Sequence, residues 1–348
     1  MLRVVKNFKT MDYKNYLKIS LIIPTRNRSK NLIDLLLTIL DQNYPLFEVI
    51  IVDDSDNDST RYAIERFKPK LKEIGCNLKY VRGRGDGLPA ARNLGVKISE
   101  GDAILFLDDD VLLDKNAVRA LASFLEKNSK SLGVQPIILP TMKMEENRLL
   151  MKFLNAIYRV LMLTYWVKNK QAIRRSGMDI FPSALTRVIN VQRLLGSCFC
   201  FKRKVFENLK FDENLKRWGF MEDLDFSHRL YKKYPQSLYA IPDAKVIHKR
   251  SLKGRLSPRL KVHMEIIYWF YIFFKDIFEG SLLNLLAFLW ALLGNLAVTI
   301  ALSLIKGKAE HAWNLIYLLE SYTLALKNLK RILSSNLNFF NRKLINSQ

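Results

Sequence analysis

The sequence predicts an α/β fold: a mostly parallel sheet flanked by helices, followed by apolar C-terminal helices. Three observations carry this. Short apolar runs alternate with segments of helical periodicity through the first 110 residues. The runs do not alternate with polar residues, as expected of parallel strands buried on both faces. A charged or glycine-rich loop follows each run, and in open parallel sheets ligands bind beyond the carboxyl ends of the strands.

Ile19 to Ile23 (ISLII) is the first strand. Ser29 to Asp41 follows as a helix, with Leu32, Ile33, Leu36, Ile39 and Leu40 at helical spacing. EVIIV (Glu48 to Val52) is the second strand, and a helix is expected near Thr60 to Phe67. NLKYV (Asn77 to Val81) is the third strand. LPAARNLGVKIS is a third helix with Pro89 in its first turn, a favoured place for proline. AILFL (Ala103 to Leu107) closes the series. Leu149 to Val167 suits an amphipathic helix. LLGSCFCFKRKVF reads as a strand and a turn. Trp218 to Lys233 reads as a loop opening into a helix, its acids at the start where the helix dipole favours them.

The C-terminal third changes character. Ser281 to Ile305 is 25 residues without a charge, long enough to span a bilayer. Ile266 to Phe274 (IIYWFYIFF) is aromatic-rich and suits a membrane interface. Lys245 to Lys261 and Lys306 to Gln348 each hold seven Lys or Arg. The positive-inside rule keeps both basic flanks in the cytosol, which one span cannot do. Three arrangements answer this: a re-entrant hairpin broken at Gly294–Asn295, a first crossing that uses Ile266 to Phe274, or a buried helix pair in a soluble domain.

The formal net charge of +23 predicts attraction to something anionic. The strongest basic runs flank the apolar segments rather than exposed aromatics, so lipid headgroups explain them better than nucleic acid, and no nucleic-acid partner is expected. Three cysteines without a CxxC pair argue against a disulfide framework or a structural zinc site. The N-terminus is basic without an apolar core, so no signal peptide is read.

Asp108, Asp109 and Asp110 follow the fourth strand directly. Adjacent carboxylates repel unless cations or donors compensate them. Asp108 and Asp110 have the alternate spacing that lets both reach one site, and hard oxygen ligands suit Mg²⁺ or Mn²⁺ shared with substrate phosphates. An exposed acidic turn is the plainer alternative. Glu222 and Asp223 form a second cluster, readable as a helix start or as a general base aimed at a substrate hydroxyl.

IIPTRNR, VIIVDDSDNDST, GLPAARNLGV, AILFLDDD, LLGSCFCFKRKVF and GFMEDLDFSHRL occur in an order and spacing that resemble family 2 inverting glycosyltransferases of the GT-A fold. The resemblance covers residues 18 to 250 and implies a Rossmann-like nucleotide-diphospho-sugar transferase. It implies a nucleoside-diphosphate sugar donor, with a UDP-sugar favoured, a saccharide or lipid-linked acceptor, and Mg²⁺ or Mn²⁺. Carried over by position, Pro24, Thr25 and Arg26 line the nucleotide, and Asp54 faces the base. Gly87 and Arg92 lie by the nucleotide or diphosphate, with Asp108 and Asp109 also on the donor. Asp108 and Asp110 match the DxD pair, and His248 completes the metal site. Glu222 and Asp223 match the ED pair, with Asp223 the base. Arg229 is followed by Leu-Tyr, so the QxxRW motif of processive synthases is absent.

The implied division is a basic extension at 1–17, a catalytic domain at 18–250 and a membrane-associated helical region at 251–348. Within the catalytic domain, 18–110 is the nucleotide half and 111–250 the acceptor half. The helical region contains apolar 264–279 and 281–305 and a basic tail, 306–348, which places catalysis on the cytosolic face of the cell membrane. An inactive sugar-nucleotide-binding relative and an anionic-surface binding protein are the competing readings.

Overall fold

The structure, a computed structural model, describes residues 16–140, 148–251, 256–306 and 309–346. The basic extension lies almost wholly outside them. β1 (Ile19–Thr25), α1 (Ser29–Leu40), β2 (Glu48–Asp53), α2 (Ser59–Glu65), α3 (Lys68–Glu73), β3 (Asn77–Arg82), α4 (Leu88–Ile98) and β4 (Ala103–Leu107) follow the expected alternation. β3, β2, β1 and β4 are neighbours in that order, all parallel. Every residue of β1, β2 and β4 is buried, which is why these runs carry no polar alternation. The helix expected near Thr60 to Phe67 is α2, and a second short helix, α3, follows it. Pro69 has no N–H with which to continue α2, and it sits in the first turn of α3.

The second half comprises β5 (Val111–Leu113), α5 (Ala117–Lys127), β6 (Gly133–Pro140), α6 (Arg148–Val160), β7 (Tyr165–Val167), β8 (Ala172–Ile173), β9 (Asp179–Pro182), β10 (Ile189–Asn190), β11 (Cys198–Lys202), α7 (Glu222–Lys233) and β12 (Leu238–His248). β11 inserts antiparallel between β4 and β6. β12 runs parallel to β6 and antiparallel to β5 and β10. The large sheet is therefore parallel in its first half and mixed in its second; β7, β9 and β8 form a separate small sheet. α1 and α5 cover one face through Leu32, Leu36, Val118 and Leu121. α4 and α7 cover the other through Ala91, Phe226 and Leu230.

Leu149 to Val167 is helical only to Val160. Met162 takes a left-handed φ of 56°, and Leu163 N–H bonds Tyr158 O at 2.9 Å, a Schellman-type stop. Tyr165 to Val167, aromatic and β-branched, continue as β7.

The chain ends in α8 (Pro258–Ile272), a π-helical turn at Phe273–Ile277, α9 (Leu282–Lys306), α10 (Ala309–Lys327), α11 (Leu329–Leu333) and α12 (Asn338–Asn346). Ile266 to Phe274, expected at a membrane interface, instead forms the centre of a core. Ile266 to Phe273 are all buried, as befits a helix that is apolar all round. The same core takes in Leu163, Leu215, Met221 and Leu224, so the C-terminal helices pack on the loop and helix that carry Glu222 and Asp223. Among the described residues one helix, α9, is long and apolar enough to cross a membrane.

Candidate active site

The loops after β1, β2 and β3 meet at one rim. Pro24 and Thr25 end β1 beside Val52 and Asp53. Arg26 meets Asp56 at 3.0 Å. Asp54 is half-buried and accepts the Gly85 N–H at 3.0 Å; burial pushes its carboxyl above the ordinary range. Arg26, Asp54, Asp56, Arg84 and Gly85 help line a cleft of about 340 Å³. A larger cleft of about 530 Å³ runs behind it, along Ala90, Asn93 and Leu94 of α4 and Phe206. None of the acids after β4 lines that larger cleft, so volume does not locate the chemistry. Gly87 caps α4 at a φ of 101°, and a side chain there would strike the Arg217 backbone.

The three aspartates part ways in a tight turn, closed by Val111 N–H on Asp108 O at 3.2 Å. Asp109 turns back toward β1. It is 4% exposed, accepts the Thr25 hydroxyl at 2.7 Å and pairs with Arg28 at 3.2 Å. Burial pushes its carboxyl up to about 6. Asp108 and Asp110 turn the other way and converge with His248, whose register opposite Val111 places it at the end of β4. One ligand atom from each of the three lies within 4.8 Å of the others. His248 Nε2 is 3.1 Å from Asp110, and Ser251 N–H reaches the same carboxylate at 2.8 Å. Burial works to raise Asp110, but His248, Ser251 and Arg28 outweigh it and hold the carboxyl below its usual range. Burial likewise works to lower His248, and Asp110 and Asp108 outweigh it and raise the imidazole. Two carboxylates and one imidazole at this separation fit a hard divalent cation.

Arg92 joins this cluster to the second one. It is fully buried rather than lining the cleft. Its guanidinium pairs with Glu222, meets Asp108 at 3.2 Å, donates to Gly196 O at 2.7 Å and lies 4.9 Å from the Phe199 ring. Glu222 is 3% exposed, and burial pushes it up to about 8 despite Arg92. Asp223 is oriented differently. Its carboxylate accepts Arg193 Nη2 at 2.6 Å and Gly196 N–H at 2.7 Å. A side chain on Gly196 would lie 2.9 Å from Glu222 and 3.1 Å from Asp223, so these carboxylates would have to give way to it. Met221, just before the pair, has a left-handed φ of 65°, the kind of strain that collects at functional sites.

Thus Asp108, Asp110, His248, Glu222 and Asp223 form one constellation. Pro24, Thr25, Arg26, Asp54 and Gly87 lie along the neighbouring strand ends, while Asp109 and Arg92 are internal ties. Two residues escaped sequence reasoning. Arg28 stood unremarked inside IIPTRNR, and Arg193, which pairs with both Asp179 and Asp223, had no local signal.

A family model described as Glycosyl transferase family 2 matches residues 20–210. The poly(ribitol-phosphate) beta-N-acetylglucosaminyltransferase TarS of Staphylococcus aureus is 34% identical over 114 residues, 32% of this chain and 19% of TarS. The chain therefore spans about a fifth of the length of that relative. Among solved structures, GalNAc-T7 with UDP, GalNAc and Mn²⁺ superposes with a TM-score of 0.56 at 17% identity, over 74% of this chain and 48% of that one. The mannosyltransferase PcManGT of Pyrobaculum calidifontis, with GDP-Man and Mn²⁺, gives 0.53 at 20% identity, over 91% and 88%. These neighbours share the fold, and with more than half of its length matched by the family model the chain belongs to glycosyl transferase family 2.

Proposed function

We propose that this protein moves a sugar from a nucleoside-diphosphate sugar, a UDP-sugar by preference, to an acceptor hydroxyl with inversion. One observation carries the reading: Asp108, Asp110 and His248 converge at the end of β4, and Arg92 ties Asp108 to the Glu222–Asp223 pair. GalNAc-T7 and PcManGT, which share this fold, carry UDP with Mn²⁺ and GDP-Man with Mn²⁺. In this reading Arg26 and Asp54 hold the nucleotide in the cleft at the ends of β1 to β3. Asp108, Asp110 and His248 hold a divalent cation, Mg²⁺ or Mn²⁺, which when bound neutralises charge on the leaving diphosphate. Asp223 takes the proton from the acceptor hydroxyl, whose oxygen attacks the anomeric carbon opposite the diphosphate. Arg193 and Gly196 N–H fix the carboxylate for that transfer.

Residues 18–250 are the catalytic unit in this proposal, and 251–348 attach it to the cytosolic face of the cell membrane. The +23 charge and the relative named for poly(ribitol-phosphate) both favour a phosphate-bearing acceptor, and the apolar C-terminal region favours a lipid-linked one. A purified enzyme that prefers a soluble sugar over every lipid-linked acceptor would remove that last part. The test of the donor site is thermal stabilisation by UDP, GDP, dTDP and CMP, each with Mn²⁺, Mg²⁺ or EDTA. A metal-dependent shift with one nucleotide is expected. No shift with any of them would favour an inactive relative.

A further inference from the structure

α9 has two apolar faces, and the protein uses one. Phe288 stacks on Phe273 with ring centroids 4.0 Å apart and lies edge-on to Trp269 at 5.2 Å. Asn284 Nδ2 donates to Ile277 O at 2.7 Å, and Tyr322 of α10 donates to Leu292 O at 3.0 Å. Trp290 Nε1 donates to Val160 O, at the end of α6, at 2.9 Å. The inner face is thus held by α6, α8, the π-helical turn and α10. On the outer face Leu283, Leu286, Leu289, Leu293, Ile300 and Leu304 are exposed, Leu293 at 61% and Leu304 at 78%. Their spacing makes one stripe about 32 Å long at a helical rise of ~1.5 Å. α10 repeats the pattern with exposed Trp313, Ile316, Leu319 and Leu326. α9 and α10 pack on each other, and each packs on the core that α8 centres, so both stripes point away from it.

Soluble monomers rarely leave such a patch uncovered. The charges beside it say what covers it. α6 has no acid, α9 has no charge before Lys306, and of the two acids of α10, Glu310 stands in the first turn and Glu320 is paired with Arg259. Exposed Arg159 adjoins Val160, and exposed Lys327, Lys330 and Arg331 follow Leu326. Two copies meeting through this face would bring like charges together, whereas anionic headgroups would complement them. Crossing the bilayer is a poor fit, because α8 and α10 would follow α9 into hydrocarbon with the Arg259–Glu320 pair at 2.8 Å between them. We propose that α9 and α10 lie in the plane of an anionic bilayer as a monotopic contact. This rests on the membrane attachment proposed above and replaces a spanning or re-entrant segment with an in-plane one.

The full chain, labelled with a fluorophore at Leu283→Cys, Leu293→Cys or Leu304→Cys in turn, tests it. The native cysteines Cys76, Cys198 and Cys200 are buried. Vesicles of phosphatidylcholine with about 30% phosphatidylglycerol carry shallow or deep quenchers. An in-plane helix gives the same shallow depth at all three sites. A deep middle with shallow ends would overturn the in-plane contact and leave membrane attachment standing. Leu286→Lys combined with Leu293→Lys, both at exposed positions, should cut vesicle partitioning at least about tenfold. Failure of the unlabelled chain to bind either these or neutral vesicles would remove both membrane readings, while nucleotide stabilisation would still report on the donor site. A dimer by light scattering that this double variant dissolves, with vesicle binding unchanged, would assign the face to a second copy instead.

Discussion

The two acid clusters share one electrostatic problem and differ in one partner. After β4, Asp108 lies 3.2 Å from Arg92 and Asp110 lies 3.9 Å from Arg28, but both also converge on an imidazole, and Asp110 accepts a backbone N–H. At the start of α7, Glu222 and Asp223 are each held by a buried arginine, Arg92 and Arg193. An imidazole can exchange its proton for a metal ion and remain a ligand. A guanidinium cannot deprotonate or ligate, so it fixes a carboxylate permanently in place. In the proposed reading the first cluster takes up a cation and the second keeps one carboxylate aimed.

Asp223→Asn should break the aimed side of the comparison most sharply. Transfer should fall by about 10²–10⁴-fold, the usual worth of a general base, with nucleotide affinity unchanged. Normal turnover would move the base to Glu222 or Asp225. Asp110→Asn attacks the cation side. It should weaken Mn²⁺-dependent nucleotide binding, read by calorimetry, by about a hundredfold or more, while binding in EDTA stays as it was. Equal affinities with Mn²⁺ would take Asp110 out of the site.

Arg193 sharpens the contrast. Arg193→Ala leaves Asp179 and Asp223 without their shared cation, so both stability and turnover should drop, turnover on the order of tenfold. Arg193→Lys restores the charge but not the planar fork that spans two carboxylates. It should recover the melting temperature more than it recovers kcat. Equal recovery of both would make Arg193 a purely structural residue.

Much of this was legible in the chain. β1, β2 and β4 lie where unalternating apolar runs put them, β3 alternates with polar residues and is only partly buried, and each polar loop falls at a strand end. The acids could be found because carboxylates beside a buried strand demand compensation. What compensates them was less legible. Arg92 sits in GLPAARNLGV like an ordinary helical arginine, and only α4 packing under β11 and α7 shows that it is buried. Arg193 pairs with residues 14 and 30 positions away, and no local pattern encodes that. Ile266 to Phe274 looked like an interface because composition cannot separate lipid from protein as the apolar surroundings. Periodicity failed there too, since that helix is apolar all round.

A third arrangement of acids tests the comparison with the smallest effect. Asp225, on the same helix as Glu222 and Asp223, pairs with Arg229 and with Lys275 of the π-helical turn. Asp276 packs beside it, 4% exposed, with one carboxylate oxygen lacking a partner. Burial first, and then the Asp225 charge, push Asp276 up to about 8, despite Lys275 and Arg229. Among the described residues the cations here are fewer than the acids need, and the neighbouring His228, pushed down to about 4 by burial, stays neutral above that pH and does not make up the difference. The folded state then holds a proton that the unfolded chain releases near pH ~4. Stability from this group is therefore complete below that pH and is lost as pH rises toward about 8. Asp276→Asn keeps the neutral form at every pH. It should raise the melting temperature at pH ~8 by about 1–2 °C, as ~1 kcal/mol does in a chain of this size, and leave it nearly unchanged at pH ~4. A variant no more stable than the parent at the higher pH would mean that Lys275 holds Asp276 ionised, and that this acid is compensated as fully as the other two clusters.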